Sequence, residues 1–163
     1  VPKDATATRS AILSAAVQTL QRGGVEGFTL DAVARRAGVV KGLLLYHYGS
    51  QARLLKVAAG QVEMARSKAL GQALAKGSGT KGVDACWEEL RRQAEDGTAK
   101  AWLSLCAAGL IDRSAKNTRF EQAAQDALID GCAAALASGT PLSDVRDAYN
   151  ALWLSLLELT ESR

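Results

Sequence analysis

The stretch from Thr29 to Leu55, TLDAVARRAGVVKGLLLYHYGSQARLL, constrains the fold more than any other, because its apolar spacing and its glycines fit short helices joined by a tight turn. Thr29 suits an N-cap, since its hydroxyl can accept from the amides two and three residues on, and Phe28 can staple onto Val33. Leu30, Val33, Ala34 and Ala37 form an apolar stripe at spacings of three and four. Gly38 then suits the position just past the helix, where positive φ is needed, and Ala34 leaves room for a second helix to approach. That second helix is predicted from about Val40 to Tyr48, with Leu44 and Tyr48 inward. Gly49 ends it, and Ser50 can cap a third helix carrying Leu54 and Leu55. This is a helix-turn-helix pattern, whose second helix is free to enter a major groove. Its outward residues are Lys41, Gly42, Leu43, Leu45, Tyr46 and, in part, His47.

Charge is distributed in keeping with this pattern. The net charge of +3 is too mild to imply nucleic acid. Residues 1–55, however, carry seven Lys or Arg against three acids, an excess of +4, whereas the remaining thirteen bases and fourteen acids give −1. A positive excess beside the helix-turn-helix is what phosphate binding requires.

Residues 9–55 carry more than one turn motif. They keep Ile12-Leu13 with Ala15-Ala16 in a first helix, a Gly-rich turn, Thr29 before the next helix, Ala34 with Ala37-Gly38-Val39, Lys41-Gly42 with Leu44, and Tyr48-Gly49-Ser50 with Leu54. In this order and spacing the segment resembles the DNA-binding domain of the tetracycline-repressor (TetR) family. The resemblance covers under a third of the chain. It implies DNA contacts from Thr29, Lys41, Gly42, Leu43, Leu45, Tyr46, His47 and Gln51, with Lys41 and Tyr46 foremost. The family usually has Ser or Thr where Val40 stands, often Thr at Leu43 and Tyr at Leu45, and commonly Lys then Glu at Gln51 and Ala52. Several phosphate anchors are therefore missing, and Leu43 and Leu45 could instead touch thymine methyls.

At 163 residues the chain can hold one or two small domains with a real core. Nearly half of it is apolar, Ala is abundant, aromatics are few, and only Pro2 and Pro141 interrupt. An all-α protein of closely packed helices is predicted. The expected organisation is an N-terminal three-helix helix-turn-helix domain over residues 1–55, then a helical ligand-binding and dimerisation domain over 56–163. Residues 1–7 read as a frayed segment before a helix from about Thr8 to Arg22. A long helix follows from Ser50 to about Ala75, and residues 76–82, KGSGTKG, are the clearest linker. Val83, Trp87, Leu90 and Ala94 mark the next helix. Thr98 can cap another, apolar nearly all round, that carries Trp102, Cys106, Leu110 and Ile111. A helix of small residues then runs through Ala123, Ala124, Leu128 and Gly131. The last helix has Val145, Tyr149, Leu152, Leu156 and Leu159 at spacings of three and four, with Trp153 and Leu157 on a second face.

The resemblance implies that these last two helices form a four-helix bundle with a second copy. Ala124, Leu128, Tyr149, Leu152, Trp153 and Leu156 are the candidate interface residues. It also implies a pocket for a small apolar effector behind the long helix, where Met64, Trp87, Trp102 and Cys106 are the candidate lining. The same residue types at helical spacing also make ordinary core.

No catalytic constellation is apparent, and no enzyme, cofactor or metal is expected. His47 is the only histidine. Cys86, Cys106 and Cys132 lack metal-ligand spacing and read as buried thiols of a reducing cytoplasm. KGSGTKG lacks the order of a phosphate loop, and the acids and bases over residues 84–92 read as a solvated face with local ion pairs. There is no signal-peptide pattern and no apolar run of the roughly 18 residues that a membrane span needs, so a cytoplasmic protein without membrane contact is expected. The chain begins at Val1, and residues upstream of it are expected to have been removed.

The function expected is that of a homodimeric transcriptional regulator, a repressor, that binds a palindromic operator in double-stranded DNA and is released by a small-molecule effector. The alternative is a helical dimer that binds proteins or ligands and has weakened or lost DNA binding. The apolar Val40, Leu43 and Leu45 motivate it.

Overall fold

A computed structural model describes residues 2–77, 80–112 and 120–161, the side chains of 2–4, 120–123 and 157–161 excepted. Among the described residues there are eight helices and no strand: α1 Pro2–Gly23, α2 Leu30–Ala37, α3 Lys41–Tyr48, α4 Gln51–Leu74, α5 Thr80–Glu95, α6 Thr98–Ala107, α7 Phe120–Ala137 and α8 Leu142–Glu161. The all-α class predicted from composition is the class observed. None of these helices is long and apolar enough to cross a membrane.

The chain divides into two compact units. The first comprises residues 1–66 and 100–112, and the second 67–99 and 113–163. The break thus falls inside α4, eleven residues beyond the predicted boundary after Leu55, and α6 belongs with the helix-turn-helix. The reason is visible in the first core, where Ala101, Trp102 and Leu105 of α6 are buried with Ile12, Leu20, Phe28, Val33, Leu44 and Leu54. Two hydrogen bonds fasten α6 there: Ser104 Oγ accepts from the Val25 amide at 3.2 Å, and Lys100 Nζ donates to the Arg22 carbonyl at 3.1 Å. Trp102 Nε1 donates to Glu63 at 2.7 Å, and the Arg66 guanidinium lies 3.8 Å from the Trp102 ring centroid.

The second unit is built around aromatic rings. Trp87 of α5 and Tyr149 of α8 have ring centroids 5.3 Å apart, and Trp153 stands edge-on to Tyr149 at 6.1 Å. Leu90, Ile129, Cys132, Ala133 and Val145 fill the space around them. Tyr149 donates its hydroxyl to the Val83 carbonyl at 2.7 Å. Burial pushes that hydroxyl well above the ordinary tyrosine range. Arg146 pairs with Asp84, and its guanidinium reaches over the Trp87 ring at 5.0 Å.

Several boundaries differ from the sequence reading. Helix α1 begins at Pro2, not near Thr8. The expected linker 76–82 shortens because α5 starts at Thr80 and Gly82 lies within it. A Cβ there would sit 2.6 Å from the Leu74 carbonyl oxygen and 2.8 Å from that of Gly77, so only glycine permits this approach. Thr98 is the first residue of α6, and the Asp96 carboxylate accepts from its amide at 2.8 Å. The same helix ends at Ala107, well before Ile111. Phe120, Ala123, Leu157 and Leu159 have side chains outside the described residues.

The charged face of α5 is the ion-paired surface expected. Arg91 bridges Glu88 and Glu95 at 2.9 and 2.7 Å, while Arg92 bridges Glu89 and Asp96. The hydrogen bond from Arg92 holds the Glu89 carboxyl below the usual carboxylate range, against partial burial.

Candidate nucleic-acid interface

The turn between α2 and α3 follows from local chemistry. Thr29 takes an extended backbone and its hydroxyl accepts from the Ala32 amide at 3.1 Å. At the other end Gly38 adopts φ 68°, and its amide and that of Val39 close onto the Ala34 carbonyl. A residue with a side chain would be strained in that left-handed conformation. Val40 is the N-cap of α3 and makes no side-chain cap hydrogen bond.

Leu44 and Tyr48 anchor α3 in the first core. Tyr48 also donates its hydroxyl to the Arg9 carbonyl at 2.8 Å, and the Arg9 guanidinium lies 5.2 Å from the ring centroid. Burial raises the Tyr48 hydroxyl above its ordinary range, and Arg9 opposes that shift. With this face fixed, the opposite one is left to solvent.

The outward residues named from sequence separate into groups. Tyr46 is 81% exposed and Leu45 41%, and Val40 just before the helix is 75% exposed. Gly42 is exposed with open space where a Cβ would stand. Lys41 is exposed too, and its ammonium lies 3.0 Å from the Asp31 carboxylate of α2. His47 is half-buried, with its ring edge-on to Tyr46 at 5.2 Å. Leu43 is partly buried against the first core, so much of it is not free to face outward. Gln51 donates from Nε2 to the Phe28 carbonyl at 3.1 Å, and the Thr29 hydroxyl is engaged in its cap. Sequence reasoning missed Asp31, which lies ten residues from Lys41 across the tight turn.

The other candidate residues are placed differently from the expectation. Trp102 and Cys106 belong to the first core and Trp87 to the second, while Met64 is 59% exposed on α4. None of the four lines the open groove along α1 or the one between α7 and α8. The helical spacing of Trp87, Trp102 and Cys106 is accounted for by core packing, of which Met64 is no part. Of the residues named for a dimer interface, Tyr149 and Trp153 are buried in their own unit by the aromatic cluster, and Leu128 is nearly so. Leu156 and Ala124 are half-buried, whereas Leu152 is 52% exposed. An apolar groove of about 280 Å³ runs between α7 and α8, walled by Ala127, Gly131, Ala135, Ala148 and Leu152. No cluster of His, Cys, Asp and Glu suited to a metal occurs among the described residues. Cys86 and Cys132 are buried thiols of the second core, and burial raises the Cys132 thiol above its ordinary range.

Residues 12–58 match the family described as bacterial regulatory proteins, tetR family. A comparison with curated protein sequences gave no match. Among solved structures, a TetR family transcription regulator from Marinobacter aquaeolei VT8 is similar at 14% identity, with 94% of this chain and 97% of that one covered and a TM-score of 0.67. A TetR-like transcriptional regulator from Rhodococcus sp. RHA1 is similar at 19% identity, over 92% and 96% of the two chains, with a TM-score of 0.64. A gamma-butyrolactone receptor, an ArpA-like protein, is similar at 20% identity, over 96% and 99%, with a TM-score of 0.58. At these identities the structures speak for the fold, and the family match speaks for residues 12–58. The α2–α3 turn thus lies inside a segment that matches the tetR family of bacterial regulatory proteins, and the fold is shared nearly end to end with solved TetR-family regulators.

Proposed function

We propose that this regulator is a homodimeric repressor that binds a palindromic operator, each α3 entering a major groove. The observation that carries the reading is α3 itself: one face is locked into a core by Leu44 and Tyr48, and the other is bare. The +4 excess of residues 1–55 supplies the attraction to phosphate. Lys41 and Tyr46 are the leading contacts, with Gly42, Leu45 and His47 beside them. Thr29 and Gln51 act at the edge, where their present bonds hold the ends of α2 and α4. Two copies of α3 on one face of the duplex require half-sites about 34–36 Å apart, or a multiple of that.

The α7–α8 groove supports pairing with a second copy. Small residues along it let another helix approach closely, and Leu152 is an exposed apolar knob beside it. Control by a small apolar effector is proposed on the likeness to the gamma-butyrolactone receptor. Such a ligand would release DNA by favouring a dimer whose two α3 helices are wrongly spaced, since only differential affinity shifts an equilibrium.

The test is to bind the purified protein to fragmented genomic DNA, sequence what is retained, and retest the tightest fragment between about 50 and 200 mM salt. A shared inverted repeat with a steep salt slope supports the proposal. A second reading, a helical dimer that acts through protein partners, is favoured by the exposed apolar Val40, Leu45 and Tyr46. On that reading Lys41→Ala and Tyr46→Ala leave DNA binding as weak and sequence-indifferent as before.

A further inference from the structure

Residues 40–48 contain no Arg, Asn or Gln, the side chains that read guanine and adenine through paired hydrogen bonds. The two cationic or polar nitrogen groups present are both engaged: Lys41 with Asp31, and His47 half-buried against Tyr46. What the outward face offers is apolar surface. At 3.6 residues per turn, Gly42 and Tyr46 lie on one line at its centre, with Leu45 on one flank and Leu43 on the other. Leu43 is drawn into the core, so Leu45 and the Tyr46 ring, with Val40 at the helix entrance, make up the exposed set. Gly42 places no side chain between the helix and whatever it meets.

The major groove has one apolar feature of its own, the C5-methyl group of thymine. We propose that α3 reads its half-site mainly through thymine methyls, with Leu45 and the Tyr46 ring as the reading surfaces and Val40 as a further contact at the edge. The preferred half-site is then rich in thymine beneath the helix. Duplex DNA is the occupant because residues 1–55, which include this helix, carry a net positive excess. An acidic surface would complement that charge, and DNA combines it with exposed methyl groups in one groove. The inference rests on the DNA-binding reading above.

The experiment uses the full chain and the sequence enriched from genomic DNA, synthesised with thymine or with deoxyuridine, which lacks only the methyl. Each single replacement under Leu45 or Tyr46 should weaken binding about four-fold, the worth of roughly one CH₂ group taken from water. Leu45→Ala and Tyr46→Ala should each abolish the penalty at one position and leave it at the others. Both side chains project to solvent, so these variants keep the fold, and an unchanged unfolding midpoint verifies it. Equal affinity for the thymine and uracil duplexes overturns the inference while leaving DNA binding intact. So does a penalty that persists in both variants, because the methyls would then act through the stiffness of the duplex. Failure to enrich any sequence overturns this inference and the DNA-binding reading together, and it is the outcome expected if α3 docks on a protein.

Discussion

The two compact units stabilise themselves differently. In the first, the short α2 and α3 are fixed by local devices: the Thr29 cap, the left-handed Gly38, and two inward residues on an eight-residue helix. In the second, long helices are held by side chains distant in sequence, with Tyr149 hydrogen-bonded to Val83 and its ring tilted against that of Trp87. The first unit can therefore present α3 with one face rigid and the other bare. The second turns its large rings inward and leaves small residues along the α7–α8 groove. Local devices fix which face of α3 is exposed, and non-local packing decides which face of α8 is.

Core truncations should give the largest effects, and they test whether both units depend on buried anchors. Trp153→Ala should cost about 3–5 kcal/mol and Leu44→Ala about 2–5 kcal/mol in denaturant unfolding. If Trp153→Ala were nearly neutral and instead altered only self-association, the aromatic cluster would be an interface and the comparison would fail. Next come the local devices. Gly38→Ala should cost about 1–2 kcal/mol, because a Cβ is strained at φ 68°. Thr29→Ala should cost about 1 kcal/mol through the lost cap.

Acid should weaken the second unit. The Glu89 carboxyl is held below its unfolded value by Arg92. Its contribution is therefore present above the unfolded pKa and lost as pH falls through the lower folded pKa. Glu89→Gln should remove about 1 kcal/mol at neutral pH and flatten the acid limb of the stability profile. An unchanged acid limb would show that the Arg92 pair contributes nothing. The smallest stability effect is expected for Tyr46→Ala, within about 0.5 kcal/mol.

How much was legible in the sequence follows the same division. Thr29, Gly38, Leu44 and Tyr48 could be assigned because caps, left-handed turns and four-residue spacings are local signals. Tyr149 and Trp153 could not be turned to the right side, because an apolar seam at spacings of three and four reads alike whether it meets its own unit or a second copy. Trp87, Trp102, Met64 and Cys106 are the lining of the pocket that the resemblance implies, and the structure divides them between cores and surface. The ion pair of Lys41 with Asp31 lies ten residues apart across a turn, beyond the i to i+4 spacing that charge patterning covers. Gly82 looked like linker because glycine marks a loop and a close helix approach equally well.

The central claim is that the bare face of α3 reads DNA, and it is tested most directly by titrating wild type and Tyr46→Ala onto the enriched operator under identical salt. The account predicts an affinity loss of about ten-fold or more, with no change in unfolding midpoint. Equal affinities of the two proteins would contradict it.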